Sequence, residues 1–512
     1  MSAGRAFFKG VVATATALLV VFGARSLVPS ISFPPARLAS LLVRVVPGDF
    51  ATAMIERLGP LALRGLAAGV NVAVVAAGGL LGVWIARGSG DAEKARRAAG
   101  LAAALFTGSL LLAVGDVGGL SLSAVVAYLL AVWAFASLAA GVPLLAAVEP
   151  NRIEGNETPL DAIARSRRRF VVRAAWALGG LLAGGSVIRA LAVRRGRPAV
   201  QIAAAARPYS EPAGDNFPAI PGQTREITPI EDFYNVDINI VKPVVDQTEW
   251  KLSVGGLVDK PYELTYRQLQ EDFEIVEMAH TLTCISNEVG GDLISTAIWR
   301  GVRLKDVLDR AGLQNGIVDI VFRGEEGYSD SIRLEEALQD DTLVVFGMNG
   351  VALPRVHGFP ARIIVPNIYG MKNVKWLTSI EAVDSDYQGY WMVRGWDDEA
   401  VVKTQSRFDV PSDTATVQRG ARLAGVAWAG DRGIRRVEIS TDRGQTWEPA
   451  VLKRELSNRT WRLWAANLDT APGRVRVMVR AVDGEGGVQS GEVAKPHPSG
   501  AGGYHSLDLT VR

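Results

Sequence analysis

Residues 1–200 differ sharply in composition from the rest of the chain, and this difference limits the possible folds more than any other feature. The first part consists of long uncharged runs of Ala, Leu, Val and Gly, whereas the second contains the Asp, Glu, Trp and Pro of an ordinary water-soluble sequence. The first part therefore suits a lipid environment and the second suits water. Because 512 residues exceed what one hydrophobic core usually organises, we expect several domains.

Apolar stretches in the first part approach or exceed the length of a membrane-spanning helix. A helix needs about 20 apolar residues to cross the hydrocarbon core of a bilayer. The stretches lie at 10–24, 65–86, 98–115, 119–148 and 174–193. The sequence thus predicts an N-terminal α-helical transmembrane bundle of about five spans over residues 1–200. Four spans are the alternative, because the first and last stretches are short.

Basic residues in the short loops predict how these spans are oriented. The loops at 87–97 and 152–169 are rich in Arg and Lys, and such loops usually stay in the cytoplasm. Five spans then place the N-terminus in the cytoplasm and all residues after 195 outside the cell membrane. The stretch Ser166-Arg-Arg-Arg-Phe-Val-Val172 resembles a twin-arginine export signal, with a simple positive-inside anchor as the alternative.

The rest of the chain shows two successive periodicities. After a Pro- and Ala-rich stretch at 201–229, which we expect to be a linker, short apolar runs alternate with helical patterns over 230–405. This alternation predicts a mixed α+β domain. From 406 to 512, apolar residues recur at every second position between turn sequences, as in short antiparallel strands. We therefore predict a C-terminal immunoglobulin-like β-sandwich.

Charge and residue counts exclude several classes of protein. The net charge is only +2 and the basic residues of the second part are scattered, so we expect no nucleic-acid partner. The single cysteine, Cys284, excludes an internal disulfide. No histidine lies in an apolar stretch, so we expect no haem in this chain. Electrons would then pass to an external carrier, either a cytochrome or a quinone-linked protein.

Two segments contain residues that suit a bound metal or anion. Cys284 follows an alternating strand pattern and precedes the polar, glycine-containing stretch Ile-Ser-Asn-Glu-Val-Gly-Gly. A thiolate at such a loop suits a transition metal, although a lone cysteine is often only a small buried apolar residue. Further along, His357, Arg362 and Lys375 are donors that suit a phosphate, with a surface turn and a charged strand end as the alternative.

Three motifs occur in a characteristic order, namely Thr283-Cys284-Ile-Ser-Asn287, His357-Gly-Phe-Pro-Ala-Arg362 and Asn373-Val-Lys375-Trp376. Together with the sandwich that follows, they resemble the sulfite oxidase family of molybdopterin-dependent oxidoreductases, in its membrane-anchored actinobacterial form, over about residues 225–505. The resemblance implies a molybdenum-molybdopterin cofactor and two-electron oxygen-atom transfer on a small substrate. It also implies that the sandwich is a dimerisation domain able to pair two chains.

The same resemblance assigns roles to individual residues. Cys284 would be the metal ligand and a catalytic residue, and Trp396 stands where the family has an active-site tyrosine. The implied cofactor-binding residues are Tyr234, Asn235, Cys284, His357, Arg362, Asn373, Val374 and Lys375.

Two positions depart from the pattern of sulfite oxidases. Val236 and Val289 stand where the family has arginines that hold the sulfite anion. Because a dianion such as sulfite is poorly held without these cations, the sequence predicts a less charged substrate. A close variant of the oxygen-atom-transfer hypothesis is a reductase of sulfoxides or similar S-oxides. A non-catalytic membrane receptor or scaffold with a degenerate cofactor fold is an alternative of a different class. The intact cysteine and phosphate-contact motifs argue against that alternative.

Overall fold

The computed structural model describes residues 2–27, 31–46, 50, 54, 58, 61–88, 90–114, 122–140, 200, 202–210, 212, 214, 217, 219–239 and 242–512. The chain divides into two compact units. One consists mainly of the N-terminal helices, and the other consists mainly of residues 200–238 and 245–512.

Helices form the described part of the N-terminal unit: α1 (Ala3–Leu27), α2 (Pro34–Val45), α3 (Leu61–Ala86), α4 (Asp91–Val114) and α5 (Leu122–Ala140). Glycines let α1 and α3 approach closely, because a Cβ added at Gly10 would collide with the backbone of Gly78. Such contacts through small residues are typical of membrane helices.

Two of the described helices have the length and composition of a membrane span, Ala3–Ser26 and Leu61–Ala86, and Ala124–Ala136 is a shorter apolar helix. They coincide with the first and second predicted spans, and a signal sequence or a membrane anchor would both have these properties. The fifth predicted span at 174–193, the basic loop at 152–169 and the twin-arginine-like stretch at 166–172 lie outside the described residues. The bundle of about five spans therefore stays a prediction.

Two β-sheets organise the region from 251 to 383. The first has the strand order β2-β1-β10-β5-β6, and the second has the order β3-β4-β7-β8 with β9 paired to β7. β1 runs parallel to β10, and the other pairs are antiparallel. The strands are β1 (Lys251–Gly256), β2 (Tyr262–Thr265), β3 (Ile275–Thr283), β4 (Ile294–Arg303), β5 (Asp319–Gly324), β6 (Ser329–Arg333), β7 (Leu343–Met348), β8 (Val351–Ala352), β9 (Arg362–Ile364) and β10 (Leu377–Val383).

Short helices connect these strands: α6 (Tyr266–Glu271), α7 (Leu304–Ala311) and α8 (Leu334–Ala337). α6 begins with a capping box, in which Thr265 Oγ1 accepts from the Gln268 N–H and the Gln268 side chain accepts from the Thr265 N–H. α7 ends at Gly312, whose φ of 72° suits a residue without a Cβ. The predicted mixed α+β domain is confirmed.

The strand β3, which leads to Cys284, is buried on both faces. On one face Val276 and Leu282 pack in a core with Trp299 of β4. On the other face the Thr281 hydroxyl accepts from the backbone N–H of Trp461 at 2.9 Å. Because both faces are covered, the end of this strand is held rigidly.

The C-terminal region is rich in β-structure, as predicted. Its strands are β11 (Gln405–Val410), β12 (Thr416–Val417), β13 (Arg422–Trp428), β14 (Ile434–Ser440), β15 (Glu448–Pro449), β16 (Val451–Leu452), β17 (Arg462–Asn467), β18 (Gly473–Asp483) and β19 (His505–Val511). They form two sheets, β11-β13-β17-β16 and β12-β19-β18-β14-β15. The sheets share one core, with Leu423 and Trp464 from the first and Val437, Val479 and Leu509 from the second. The immunoglobulin-like class stays a prediction.

The stretch that we expected to be a linker makes specific contacts. The backbone N–H of Ala206 donates to Ile275 O at 2.9 Å, at the start of β3. The side chain of Gln223 donates to Gly425 O and Trp464 O at 3.0 and 3.1 Å. The described residues of 202–229 are therefore attached to both parts of the second unit.

Candidate functional site

Cys284 lies immediately after β3, at the start of the loop that leads to β4. Its backbone N–H donates to Leu293 O at 2.9 Å, and its carbonyl accepts from the Asn287 N–H at 3.0 Å. The Asn287 side chain also accepts from the Leu293 N–H at 2.9 Å. These bonds close the loop and fix the buried cysteine at its base.

The surroundings of the thiol combine burial with nearby donors. Burial raises the pKa of Cys284, while the backbone N–H and hydroxyl of Ser286 and the charge of Lys375 act in the opposite direction. Among the described residues, no group of three or more His, Cys, Asp or Glu side chains could hold a metal ion.

Tyr234 shares this buried environment. Its backbone N–H donates to Ser295 Oγ at 3.1 Å, and its hydroxyl lies so close to Gly370 that a Cβ there would be 2.5 Å away. Burial raises the pKa of Tyr234 well above its ordinary value, with the charge of Cys284 acting in the same direction and that of Arg362 opposing it. Tyr234, Cys284 and Arg362 are thus electrostatically coupled.

Arg362, the first residue of β9, is 3% exposed. Its Nη1 donates to His357 O at 3.2 Å and its Nη2 donates to Asn373 O at 3.1 Å. Its Nε has no hydrogen-bond partner among the described residues. Burial lowers the pKa of Arg362 to about 10, and among the described residues only Tyr234 counters this effect, with none of their carboxylates contributing. A buried cation without a carboxylate is costly, so this guanidinium fits a site for an external anion.

The structure joins two of the predicted cofactor-binding segments through Lys375. Its Nζ donates to Asn235 Oδ1 at 2.9 Å and to Val236 O at 3.1 Å, and it lies 3.4 Å from Asp237 Oδ2. His357 is buried nearby, with Nε2 3.3 Å from Ile230 O. The segments 234–237, 355–357 and 373–375 therefore lie together.

Asn373 and Val374 support the strand that carries Arg362. The Asn373 side chain accepts from the Val365 N–H at 2.8 Å, and the carbonyl of Val374 accepts from the Ile363 N–H at 3.0 Å. Both residues are buried. Their visible contacts fix the backbone at β9.

Trp396 is connected to the cysteine loop through a residue that the sequence did not single out. The Trp396 ring stacks on Trp391 at 3.9 Å, with an interplanar angle of 9°, and lies 4.4 Å from the ring of His497. His497 Nε2 in turn lies 3.1 Å from Ser286 Oγ. Since His497 follows Ser286 by 211 positions, no local pattern could have revealed this contact.

Sequence reasoning also missed Tyr369 and Lys372. Burial raises the pKa of Tyr369 to about 12, and the charge of Cys284 acts in the same direction, so its hydroxyl lies in the same environment. Lys372 is buried, and its Nζ lies 3.2 Å from Asp330 and 3.1 Å from Asp398. It links the segment before Asn373 to the segment after Trp396.

Comparisons with known proteins agree with this geometry. Residues 239–391 match the family described as oxidoreductase molybdopterin binding domain, and residues 397–495 match the Mo-co oxidoreductase dimerisation domain. The chain is 33% identical over 318 residues to the mitochondrial sulfite oxidase of Rattus norvegicus, which covers 52% of this chain and 58% of that protein. It is 30% identical over 322 residues to the sulfite oxidase of Gallus gallus, covering 53% of this chain and 69% of that protein.

A solved structure shows the same fold. The sulfane dehydrogenase SoxCD from Paracoccus pantotrophus superposes with a TM-score of 0.50 and 22% sequence identity, over 56% of this chain and 85% of that chain. The motifs around Cys284 and Arg362, the two family matches and the relatives lead to one assignment. The chain belongs to the sulfite oxidase family of molybdopterin-dependent oxidoreductases.

Proposed function

We propose that this chain is a membrane-anchored molybdenum enzyme that catalyses two-electron oxygen-atom transfer on a small substrate other than sulfite, outside the cytoplasmic membrane. The observation that carries the proposal is the buried guanidinium of Arg362, which none of the described carboxylates neutralises and whose charge acts on Tyr234 together with that of Cys284. An oxidoreductase needs a redox centre, and this arrangement combines a metal-binding thiol with a site for the anionic end of a cofactor.

The molybdenum-molybdopterin cofactor fits these residues. A thiolate at Cys284 suits molybdenum, and Arg362 suits the phosphate of the pterin, since a guanidinium can bind phosphate with two parallel hydrogen bonds. When bound, the cofactor supplies a metal that exchanges two electrons as an oxygen atom moves to or from the substrate. We assign the remaining cofactor contacts to Tyr234, Asn235, His357, Asn373, Val374 and Lys375.

The protein residues supply orientation and hydrogen bonds. The phenol of Tyr234 is protonated at neutral pH, as for an ordinary tyrosine, and burial raises its pKa further, so it can donate a hydrogen bond. The loop closed by Asn287 holds the backbone of Cys284 in place. We assign Trp396 to the wall of the substrate pocket, since its ring is held between Trp391 and His497.

Two valines support a substrate with little charge. The rat and chicken relatives are sulfite oxidases by name. In this chain the resemblance places Val236 and Val289 where arginines would hold sulfite, and their side chains are 44% and 38% exposed. Neither side chain can pair with an anion. We therefore favour a neutral oxygen-atom donor or acceptor, such as a sulfoxide or an N-oxide.

The wider organisation is part of the same proposal. Residues 1–200 form the membrane domain and 201–229 connect it to a catalytic domain at 230–405, which is followed by an immunoglobulin-like sandwich at 406–512. The apolar lengths of Ala3–Ser26 and Leu61–Ala86 support the membrane anchor. The match at 397–495 to a dimerisation domain supports a homodimer. Electrons would be exchanged with an external carrier.

The test uses the full chain, purified in detergent from a host that makes the cofactor. We expect molybdenum and pterin in equal, stoichiometric amounts, and turnover of sulfoxides or N-oxides with a redox dye that exceeds turnover of sulfite. Cys284→Ala should keep the fold, measured by circular dichroism, and lose turnover. A wild-type chain that stays free of metal despite ample cofactor would contradict the proposal and favour the alternative of a non-catalytic membrane receptor or scaffold.

A further inference from the structure

The loop that follows Cys284 has two halves that are held in different ways. In the first half, the Asn287 N–H donates to the Cys284 carbonyl at 3.0 Å, and the Asn287 side chain accepts from the Leu293 N–H at 2.9 Å. The second half contains Gly290 and Gly291 side by side, and consecutive glycines give a backbone little rigidity of its own. Contacts from outside the loop therefore decide where the second half lies.

Arg407 of β11 supplies one of these contacts. Its Nη1 donates to Gly291 O at 2.5 Å, its Nε lies 3.0 Å from Asp409 Oδ1, and its Nη2 donates to Thr224 Oγ1 at 3.1 Å. The Thr224 N–H in turn donates to Asp409 Oδ2 at 3.0 Å. Each guanidinium nitrogen thus has a partner, and the side chain is held in one orientation towards the loop.

His505 of β19 lies against the neighbouring residue of the loop. Its Nδ1 accepts from the Phe408 N–H at 3.0 Å, so the ring is held by the same strand that carries Arg407. A Cβ added at Gly290, whose φ is 79°, would lie 2.5 Å from His505 Nε2. The ring therefore limits the movement of the loop on this side, and Arg407 holds it from the next residue.

Val289 directly precedes these two glycines. The resemblance places it where the family has an arginine that holds the substrate, and it is 38% exposed. Its Cγ2 lies 3.8 Å from the point that a Cβ at Gly503 would occupy, and Val493 Cγ2 lies 3.7 Å from the same point. A displacement of residues 290 and 291 would therefore move an apolar side chain at the proposed substrate site.

We propose that Arg407 is a positioning residue for substrate selection: it holds the carbonyl of Gly291 and thereby fixes Val289, which sets the substrates that the site accepts. This inference rests on the proposed role of Val289 at the substrate site. The hydrogen bonds in the first half of the loop do not involve Arg407. Loss of Arg407 should therefore move Val289 and leave Cys284 in place.

The kinetics of Arg407→Met test the inference in the full-length, cofactor-loaded protein. The probes are dimethyl sulfoxide and methyl phenyl sulfoxide, which are both neutral and differ in apolar bulk. We expect the ratio of their kcat/KM values to change by about tenfold, because a displaced Val289 alters the fit of the apolar group. The molybdenum content should match wild type, and kcat for dimethyl sulfoxide should stay within about twofold, because the metal ligand keeps its position.

Hydrogen exchange resolved to single residues gives a readout that does not depend on turnover. The Gly291 N–H donates to Glu288 O at 2.9 Å within the second half of the loop. In Arg407→Met this N–H should exchange at least about tenfold faster, because the second half opens more often. The N–H groups of Cys284 and Asn287 should keep their wild-type rates.

Two further variants separate this role from a loss of stability. Thr224→Val removes one acceptor of the guanidinium and keeps its charged partner, so it should change both readouts in the same direction and to a smaller extent. Arg462→Met is the matched control, because Arg462 also lies on a C-terminal strand and donates to Lys453 O and Ile434 O, both at 2.7 Å. It should leave the kcat/KM ratio and the exchange of Gly291 unchanged.

Either of two results in Arg407→Met would overturn the inference. They are a kcat/KM ratio that stays at the wild-type value, and equal acceleration of exchange at Cys284 and Gly291, which would show that the loop moves as one piece. In a molybdenum-containing, active wild type these results would leave the proposed function standing. A molybdenum-loaded wild type that turns over neither sulfoxide would overturn the inference together with the proposed sulfoxide substrate. A wild type without molybdenum would overturn the proposed function, and hydrogen exchange would still decide whether Arg407 holds Gly291.

Discussion

Two buried cations, Arg362 and Lys372, lie ten positions apart in the chain and have opposite surroundings. Each is 3% exposed. Lys372 Nζ is paired with Asp330 and Asp398 and also donates to Ser331 O at 2.9 Å. The side chain of Arg362 donates only to backbone carbonyl oxygens, and its guanidinium lies over the Trp299 ring with Cζ 5.3 Å from the centroid.

The difference shows which of the two buried cations is neutralised by carboxylates of the protein itself. For Lys372, burial lowers the pKa, but the two carboxylates outweigh this effect and the net pKa is raised. For Arg362, burial lowers the pKa to about 10 and no carboxylate among the described residues opposes it. We therefore read Lys372 as a structural ion pair and Arg362 as half of a pair whose other half is an external anion. The following predictions test this distinction, in order of decreasing expected effect.

The largest effect should come from Lys372→Met. The change removes the ammonium and leaves the fully buried Asp330 carboxylate uncompensated. Breaking a buried pair in this way costs about 3–5 kcal/mol. We expect the free energy of unfolding to fall by that amount, measured by urea unfolding of the detergent-purified full chain and followed by tryptophan fluorescence. If the free energy of unfolding falls by less than about 1 kcal/mol, as for a surface ion pair, Lys372 is not a structural ion pair and does not differ from Arg362 in this respect.

A second variant controls for the change in side-chain shape at this position. Adding Asp330→Asn to Lys372→Met removes the stranded charge, so much of the lost stability should return. If the double variant is as unstable as Lys372→Met, the loss arises from packing and the ion pair does not explain it.

Arg362→Met should show the reverse pattern. In the cofactor-free protein no partner charge is stranded and only the neutral carbonyls of His357 and Asn373 lose a donor, so the free energy of unfolding should fall by less than in Lys372→Met. Cofactor binding should weaken by at least about thirtyfold, equivalent to about 2 kcal/mol, because the phosphate loses a buried charged donor. The measurement is pterin and molybdenum retained after dilution. Full retention of the cofactor would show that Arg362 does not face the anion.

Local patterns predicted the mixed α+β region and the β-rich C-terminal region, because helices and strands each impose a regular spacing on buried apolar residues. The alternating pattern before Cys284 predicted β3 (Ile275–Thr283), and the two-residue alternation after 406 predicted strands such as β13 (Arg422–Trp428). A backbone hydrogen bond such as the one from Ala206 to Ile275 leaves no such pattern in the sequence, because it depends little on which side chain the residue carries. For that reason the sequence gave no sign that the described residues of 202–229 are attached to the strands of the second unit.

The site was accessible from the sequence only where family motifs marked it. Cys284, Arg362 and Lys375 stand in such motifs, and the structure brings them near one another. The pairing of Lys372 with Asp330 joins residues 42 positions apart, and the contact of Ser286 with His497 spans 211 positions. Both are products of the tertiary fold, and no periodicity or spacing encodes them.

The smallest effect is the change that Arg362 makes to the pH dependence of stability that arises from His280, a fully buried residue on β3. Burial lowers the pKa of His280 to about 3, and the charges of Arg459 and Arg362 act in the same direction. Its folded pKa is thus below the unfolded value near 6.5, so the unfolded state binds the proton first. Stability should fall as the pH drops from about 6.5 towards 3, by up to about 1.4 kcal/mol per pH unit.

The contribution of His280 is the wild-type slope minus the slope of His280→Gln, both from urea unfolding of the cofactor-free chain. The subtraction is needed because burial also lowers the pKa of His505. Repeating this subtraction in an Arg362→Met background should give a smaller loss of stability at low pH, since one repelling charge is gone and the pKa of His280 in the folded state rises. The Lys372→Met background should leave the loss unchanged, because Lys372 is not among the charges acting on His280. If the loss of stability from His280 changes equally in both backgrounds, Arg362 and Lys372 act equally on His280, and the distinction between the two cations fails.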